Sequence, residues 1–239
     1  MPAEITFSHA ITVELVRSTG DDAGICEAAR VSTLGEMAAQ APGHIARDNG
    51  LINFLMRDKH GSPFEHGQMT FYVKAPIFVF REFMRHRVGW SYNEESGRYR
   101  KLQPEFYIPR PGRNLVQVGK PGAYQFEQGD AFQYGIMRDG LRTTAEHAYA
   151  QYEAMLHNGI AREVARMCLP VNIYSSAYVT CNPRSLMHFL GLRTHRKDAT
   201  FVSYPQREIE LAAEQMETIF AKKFPVTHEA YNRLGRTAP

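Results

Sequence analysis

The hydrophobic period of the chain changes at Pro76, from two to about 3.6, and that change calls for a sheet strand followed directly by a helix. Upstream, Met69, Phe71 and Val73 alternate with Gln68, Thr70 and Tyr72, the pattern of a half-buried strand over residues 68–74. Pro76 has no N–H to give to a ladder, and its fixed φ suits the first position of a helix. Downstream, Ile77, Phe80, Phe83 and Met84 fall on one side of a helix predicted over residues 77–87. Arg81 and Arg85 share another face, as do Glu82 and His86, because residues four apart are neighbours on a helix. The helix therefore ends by presenting polar groups to the loop that follows it.

The remaining segments fit around that unit. Residues 9–17 read as a strand, and Asp21 and Asp22 offer an N-cap for a helix through Arg30. A second helix is expected from about Gly43 to His60, stopped by Gly61. Residues 103–125 are rich in Pro and Gly and read as an extended surface loop rather than a domain boundary. A long helix over residues 126–158 follows, with Ile136, Met137, Leu141, Ala145, Ala148, Tyr152 and Met155 inward and with Gly129, Gly135 and Gly140 threatening its first half. A short helix over residues 161–168 puts Arg162 and Arg166 on one face, and Val171 to Cys181 is a β-rich run. Asn182 and Pro183 form an N-cap and first-turn pair for a helix to Arg193, with Arg184 and His188 on one side. Residues 194–200 read as a charged turn, and Pro205 opens an amphipathic helix to about Phe224. The expectation is one domain over residues 1–239.

Charge is concentrated in one place. From Arg85 to Lys101 there are five formal cations (Arg85, Arg87, Arg98, Arg100, Lys101) against two carboxylates (Glu94, Glu95), a surplus equal to the +3 of the whole chain. The same stretch holds the single tryptophan, Trp90. Arginine forks with Ser and Asn between them suit a phosphate-bearing ligand. The balance elsewhere is neutral, so the mild positive charge sits in one patch and does not by itself argue for nucleic acid. Cys26, Cys168 and Cys181 fit neither a metal spacing nor a disulfide framework, so a reducing cytoplasm is expected. The sequence has no membrane-length apolar run, and Met1 to Thr6 does not read as a signal peptide. No cysteine sits in an activating environment, and Ser96 lacks a His/Asp partner pattern, so it reads better as a phosphate ligand than as a nucleophile. His86, between two arginines, is expected to be neutral.

Arg85-His86-Arg87, followed in order by Ser91, Asn93, Glu94, Ser96, Arg98 and Tyr99, resembles the signature of the flavin-dependent thymidylate synthases. Ser62-Pro-Phe-Glu-His66, Val73 to Phe78, Arg162-Glu-Val-Ala-Arg166 with Leu169-Pro170, and Ser185 to Leu190 leading to Arg193 resemble the family in the same order. The resemblance implies an α/β fold of the α+β type, an antiparallel sheet flanked by helices. It implies conversion of dUMP to dTMP, with methylenetetrahydrofolate as carbon donor and NADPH as reductant through FAD, in a homotetramer whose sites are shared between subunits. By position, Glu82, Phe83, Met84, Arg85, Glu94, Glu95, Ser96, Gly97, Arg98, Arg166 and Arg193 match its dUMP-binding residues. Ser62, Arg85, His86, Arg87, Glu94, Asn182, Pro183, Arg184 and His188 match its FAD-binding residues, and Arg193 matches the arginine that activates the uracil ring. No resident metal is implied. A non-catalytic arginine-rich module gripping nucleic-acid phosphates is the alternative, with a cysteine-dependent transferase behind it.

Overall fold

Pro76 closes the strand Gln68–Pro76, and Ile77 opens the helix Ile77–Phe83, as the change of period requires. The computed structural model describes residues 4–35, 37, 45–120 and 123–239. Its elements begin with β1 (Thr6–Ser8), β2 (Thr12–Thr19), α1 (Asp22–Leu34), α2 (Ile45–Arg57), β3 (Gln68–Pro76) and α3 (Ile77–Phe83). They continue with β4 (Trp90–Glu94), β5 (Glu105–Tyr107), β6 (Asn114–Lys120), β7 (Ala123–Gln128), α4 (Ala131–His157) and α5 (Arg162–Ala165). The last are β8 (Tyr174–Cys181), α6 (Pro183–Arg193), α7 (Arg207–Lys223) and α8 (Pro225–Arg233). Two compact units result: Met1–Ala10, Ala75–Phe78 and Glu95–Ser175 form one, and Ile11–Lys74, Val79–Glu94 and Ser176–Pro239 form the other.

The second unit contains the four-stranded sheet, in the order β2-β3-β8-β4, with β2 antiparallel to β3 and β4 antiparallel to β8. The alternation in β3 works as the period dictates: Met69, Phe71 and Val73 are fully buried, while Gln68 stays exposed. Thr70 is buried too, and its hydroxyl meets that of Thr180 on β8 at 2.9 Å, which satisfies both. On α7, Ile209, Ala212, Ala213, Met216 and Phe220 make one buried stripe, and Gln215 ties the helix to the sheet. Its amide accepts from Val13 N at 3.1 Å and donates to Ile11 O at 2.8 Å. The strand expected over residues 9–17 lies slightly later, at Thr12–Thr19. Asp21 caps α1 as expected, accepting from Gly24 N. Asp22 instead accepts from Val226 N, Thr227 N and the Thr227 hydroxyl, so it caps α8 from a distance in sequence. The predicted start of the second helix at Gly43 falls outside the described residues, and α2 ends at Arg57.

Two corrections bear on the charged stretch. The helix α3 stops at Phe83, not Arg87, and Met84 is exposed rather than part of its inner face. Residues 90–94 are then not loop but strand β4, paired with β8 from Trp90↔Cys181 to Glu94↔Ala177. The strand–turn geometry is held by Gly89 at φ +69, a conformation open to glycine at no steric cost.

In the first unit, Leu102, Phe106, Ala145, Tyr149, Tyr152, Ala165 and Ile173 form the core. The segment expected to be an extended loop contains β5, parallel to β1, and the antiparallel hairpin β6–β7, whose Pro121 and Gly122 lie outside the described residues. The glycines do not break α4. A capping box between Asp130 and Gln133 fixes its start, and Gly135 and Gly140 sit where nothing crowds them. Its buried face begins only at Ala145, so Ile136 is exposed. Residues 162–168 split into α5 and a 3-10 turn over Arg166–Cys168.

Candidate active site

In the second unit the charged groups gather around the C-terminal end of α6. Asn182 caps that helix by accepting from Ser185 N at 2.8 Å, and Pro183 fills its first turn. Eleven residues of helix then deliver Arg193 at its end. Arg193 Nη1 pairs with the Glu82 carboxylate at 2.6 Å, and Arg193 Nε donates to His86 Nε2 at 3.0 Å. The His86 ring stands edge-on to Phe189 at 4.9 Å and lies 6.1 Å from Trp90. Burial pushes its pKa down to about 4, with the charges of Arg193 and His188 acting in the same direction. The imidazole is therefore neutral at neutral pH, as the sequence predicts.

The turn carrying His86 is built to stay in place. The Tyr92 hydroxyl is shared between the carbonyls of Phe83 and His86, at 2.7 and 2.8 Å, and Ser185 Oγ donates to Val88 O at 2.9 Å. A Cβ on Gly89 would lie 2.1 Å from Ser185 Oγ, so the chain passes α6 where only glycine fits. Phe83 is fully buried and stacked on Phe189 at 5.1 Å, which leaves it only its backbone for a ligand. Arg85 and Arg87 are exposed.

A second group surrounds Arg184 on α6. Its Nη1 pairs with Glu65 at 2.5 Å and its Nε donates to Pro239 O at 2.7 Å, and its guanidinium lies so close over Gly61 that a Cβ there would meet it at 2.5 Å. Lys59 Nζ donates to Thr237 Oγ1 at 2.7 Å and to the carbonyls of Thr237 and Ala238. Burial, then the charges of Arg184 and Lys59, lower the pKa of His188. Ser62 opens the 3-10 turn that carries Glu65. A cavity of about 470 Å³ in this unit is lined by Glu65, His66, Gly89, Trp90, Ser91 and Asn182, among others. Glu65, His66 and Lys59 carry no role in the sequence reading. Glu65 meets Arg184 across 119 positions, and no local pattern reveals such a pairing.

The first unit supplies a separate basic turn. Ser96 O accepts from Tyr99 N and Arg100 N, and Ser96 Oγ accepts from Arg98 N at 3.3 Å. Arg98 pairs with Glu163 at 3.0 Å, and Glu95 with Arg100 at 3.4 Å, the arginines in both cases more than half exposed. Gly97 is buried because Arg166 Cδ and Leu102 Cδ1 each lie 3.1 Å from where its Cβ would be. Gly97, Arg98 and Arg166 are thus brought together as the sequence reading groups them. Glu94 lies in the last position of β4 and is half-buried.

No cysteine is an activated thiol. Burial raises the pKa of Cys26 to about 12 and raises those of Cys181 and Cys168 as well. Among the described residues no cluster of His, Cys, Asp and Glu has the makings of a metal site, and no helix is long and apolar enough to cross a membrane.

The family model described as "Thymidylate synthase complementing protein" matches residues 14–226. A flavin-dependent thymidylate synthase of Streptomyces coelicolor is 59% identical over 237 residues, covering 99% of this chain and 96% of that protein. The crystal structure of a UMP/dUMP methylase, PolB, from Streptomyces cacaoi bound with 5-Br dUMP is 52% identical. It superimposes with a TM-score of 0.93 over 98% of this chain and all of the other. The same methylase with 5-Br UMP gives a TM-score of 0.91 at 51% identity, over 98% of this chain and 99% of the other. The chain belongs to the flavin-dependent thymidylate synthase family. A flavin is accordingly its cofactor, and the reading as a non-catalytic nucleic-acid module finds no support.

Proposed function

We propose that the protein methylates C5 of dUMP, giving dTMP, with methylenetetrahydrofolate as carbon donor and NADPH as the source of reducing equivalents. The observation that carries this is the Arg193 guanidinium, held between neutral His86 at 3.0 Å and the partly exposed Glu82 carboxylate at 2.6 Å. C5 must become electron-rich to take a one-carbon unit. A permanently charged guanidinium at the ring edge stabilises the negative charge that then develops on N3 and O2. The C5 hydrogen leaves as a proton, the methylene carbon bonds to C5, and a hydride completes the methyl group as tetrahydrofolate departs. Without an activated cysteine, no thiolate of this chain is poised to add to C6.

FAD is the flavin in this reading, and when bound and reduced by NADPH it supplies the hydride. The residues fit such a ligand: Arg184 offers a cation for a phosphate, and the polar cavity at Asn182, Glu65 and Trp90 adjoins it in the same unit. Ser62, Arg85, His86, Arg87, Glu94, Pro183 and His188 complete the proposed flavin-binding set. Ser96, Gly97, Arg98 and Arg166 take the nucleotide phosphate, with Arg85, Glu94, Glu95 and the Glu82–Met84 segment at the rest of the nucleotide. A homotetramer assembles these groups into sites shared between subunits, and the protein works in the cytoplasm.

The visible spectrum tests the proposal. Purified protein is expected to be yellow, to bleach with NADPH, and to form dTMP from dUMP and methylenetetrahydrofolate. Colourless protein that neither takes up FAD nor forms dTMP overturns it. Because a similar structure carries 5-Br UMP, UMP belongs in the same assay as a competing substrate.

A further inference from the structure

The Arg193 guanidinium is engaged on both of its edges. Nε donates to His86 Nε2 at 3.0 Å; Nη1 meets the Glu82 carboxylate at 2.6 Å, and Nη2 faces the Glu82 backbone carbonyl at 3.5 Å. The two partners differ in freedom. The His86 ring is set against Phe189, and its backbone N–H donates to Phe83 O at 2.9 Å. The Glu82 side chain sits one residue before the end of α3 and is 35% exposed, about twice the 18% of Arg193. A pyrimidine ring that meets a guanidinium through two neighbouring atoms needs an edge with two N–H groups. One edge belongs to a fixed imidazole, and the other is covered by a carboxylate with room to swing away.

We propose that Glu82 is a displaceable stand-in for the pyrimidine: its carboxylate occupies the outer edge of Arg193 in the free protein and yields that edge to the nucleotide ring. This rests on the reading of Arg193 as the ring-activating group. The stand-in has two consequences. It keeps the guanidinium against His86 before the ligand arrives, so the group that stabilises developing charge is already in position. It also costs affinity, because the ring binds only by breaking an ion pair. Glu82 is thus a positioning residue that competes with the substrate.

Direct titration of dUMP into wild type, Glu82→Gln, Arg193→Ala and the double variant tests this by calorimetry. Glu82→Gln is expected to bind dUMP about two- to fivefold more tightly than wild type, the size of a partly exposed ion pair that no longer has to be broken. A misfolded variant does not gain affinity, so a purely structural role moves the result the other way. In the Arg193→Ala background the same substitution is expected to change nothing, because the competition is for Arg193. Weaker or unchanged binding by Glu82→Gln overturns the proposal, as does an equal gain without Arg193, which marks a general charge effect. Wild-type protein that binds no dUMP overturns the functional reading itself, and this role falls with it.

Discussion

Arg193 Nε donates to His86 Nε2 at 3.0 Å, which fixes the imidazole as an acceptor at that nitrogen and places its proton on Nδ1. An arginine cannot give up its charge to suit a protonated neighbour, so acidification breaks this contact from the histidine side. The pKa of His86 falls from the ordinary 6.5 to about 4, because burial and the Arg193 charge disfavour the imidazolium. The neutral ring contributes its stabilisation in full above 6.5 and loses it as the pH falls through about 4. Nuclear magnetic resonance of the imidazoles is expected to show His86 as the Nδ1–H tautomer and silent from about pH 7.5 down to about pH 5, where an ordinary histidine titrates.

Gly89 and Gly135 offer opposite outcomes for the same change. Gly89 has φ +69 and its Cβ position collides with Ser185 Oγ at 2.1 Å, so Gly89→Ala carries both backbone strain and a clash. A loss of at least about 1–2 kcal/mol is expected. Gly135 lies inside α4 with nothing within 4 Å of a Cβ, and Gly135→Ala is expected to gain about 0.5–1 kcal/mol from helix propensity. Paired urea melts read both, and like-signed shifts contradict the argument.

The contrast also shows what the sequence discloses. The β3–α3 junction and the Asn182 cap were legible, because each rests on local periodicity or a short motif, whereas the grouping of Gly97 and Arg98 with Arg166 came only through the family resemblance. The end of α3 was not. Its pattern runs on through Met84 and beyond, but the Tyr92 hydroxyl and Ser185, nine and roughly a hundred residues away, hold residues 83–88 in a turn. Arg184 with Glu65, and Asp22 with the start of α8, are likewise long-range pairings with no trace in local composition. The hairpin β6–β7 was hidden by Pro109, Pro111 and Gly112 before it and by Pro121 and Gly122 between its strands, which dominate a window read for loops.

Arg98→Ala separates binding from stability. The pair with Glu163 is more than half exposed on both sides and contributes little to folding. If Arg98 grips the nucleotide phosphate, its removal costs about 1.5–3 kcal/mol of dUMP affinity, roughly ten- to a hundredfold and more. Thermal melting unchanged with dUMP affinity sharply reduced is the expected pair of results. Unchanged affinity removes Arg98 from the phosphate site.

Glu217 on α7 anchors an ionic network in the second unit with Arg196, His228 and Arg236, and acid is expected to dismantle it. Its carboxylate accepts from Arg236 at 2.6 Å and Arg196 at 3.2 Å, and lies 3.1 Å from His228 Nε2; Arg236, itself only 7% exposed, also donates to Thr194 Oγ1 at 3.0 Å. Burial, the largest single influence, pushes the Glu217 pKa up. The hydrogen bonds from His228 and Arg236 and the charges of Arg236 and Arg196 together outweigh it and leave the group at about 2 instead of 4.5. A depressed carboxylate stabilises the fold fully above 4.5 and progressively less as the pH falls through about 2. Arg236→Ala removes the nearest partner of that charge and is expected to lower stability at neutral pH, by less than the ~3–5 kcal/mol of a wholly unpaired buried charge because Arg196 stays at 3.2 Å. Glu217→Gln is expected to lower stability at neutral pH and to flatten the decline between 4.5 and 2, because no carboxylate remains there to protonate. Denaturation of both variants across that range measures it, and a Glu217→Gln protein with the wild-type acid profile assigns the acid sensitivity to another group.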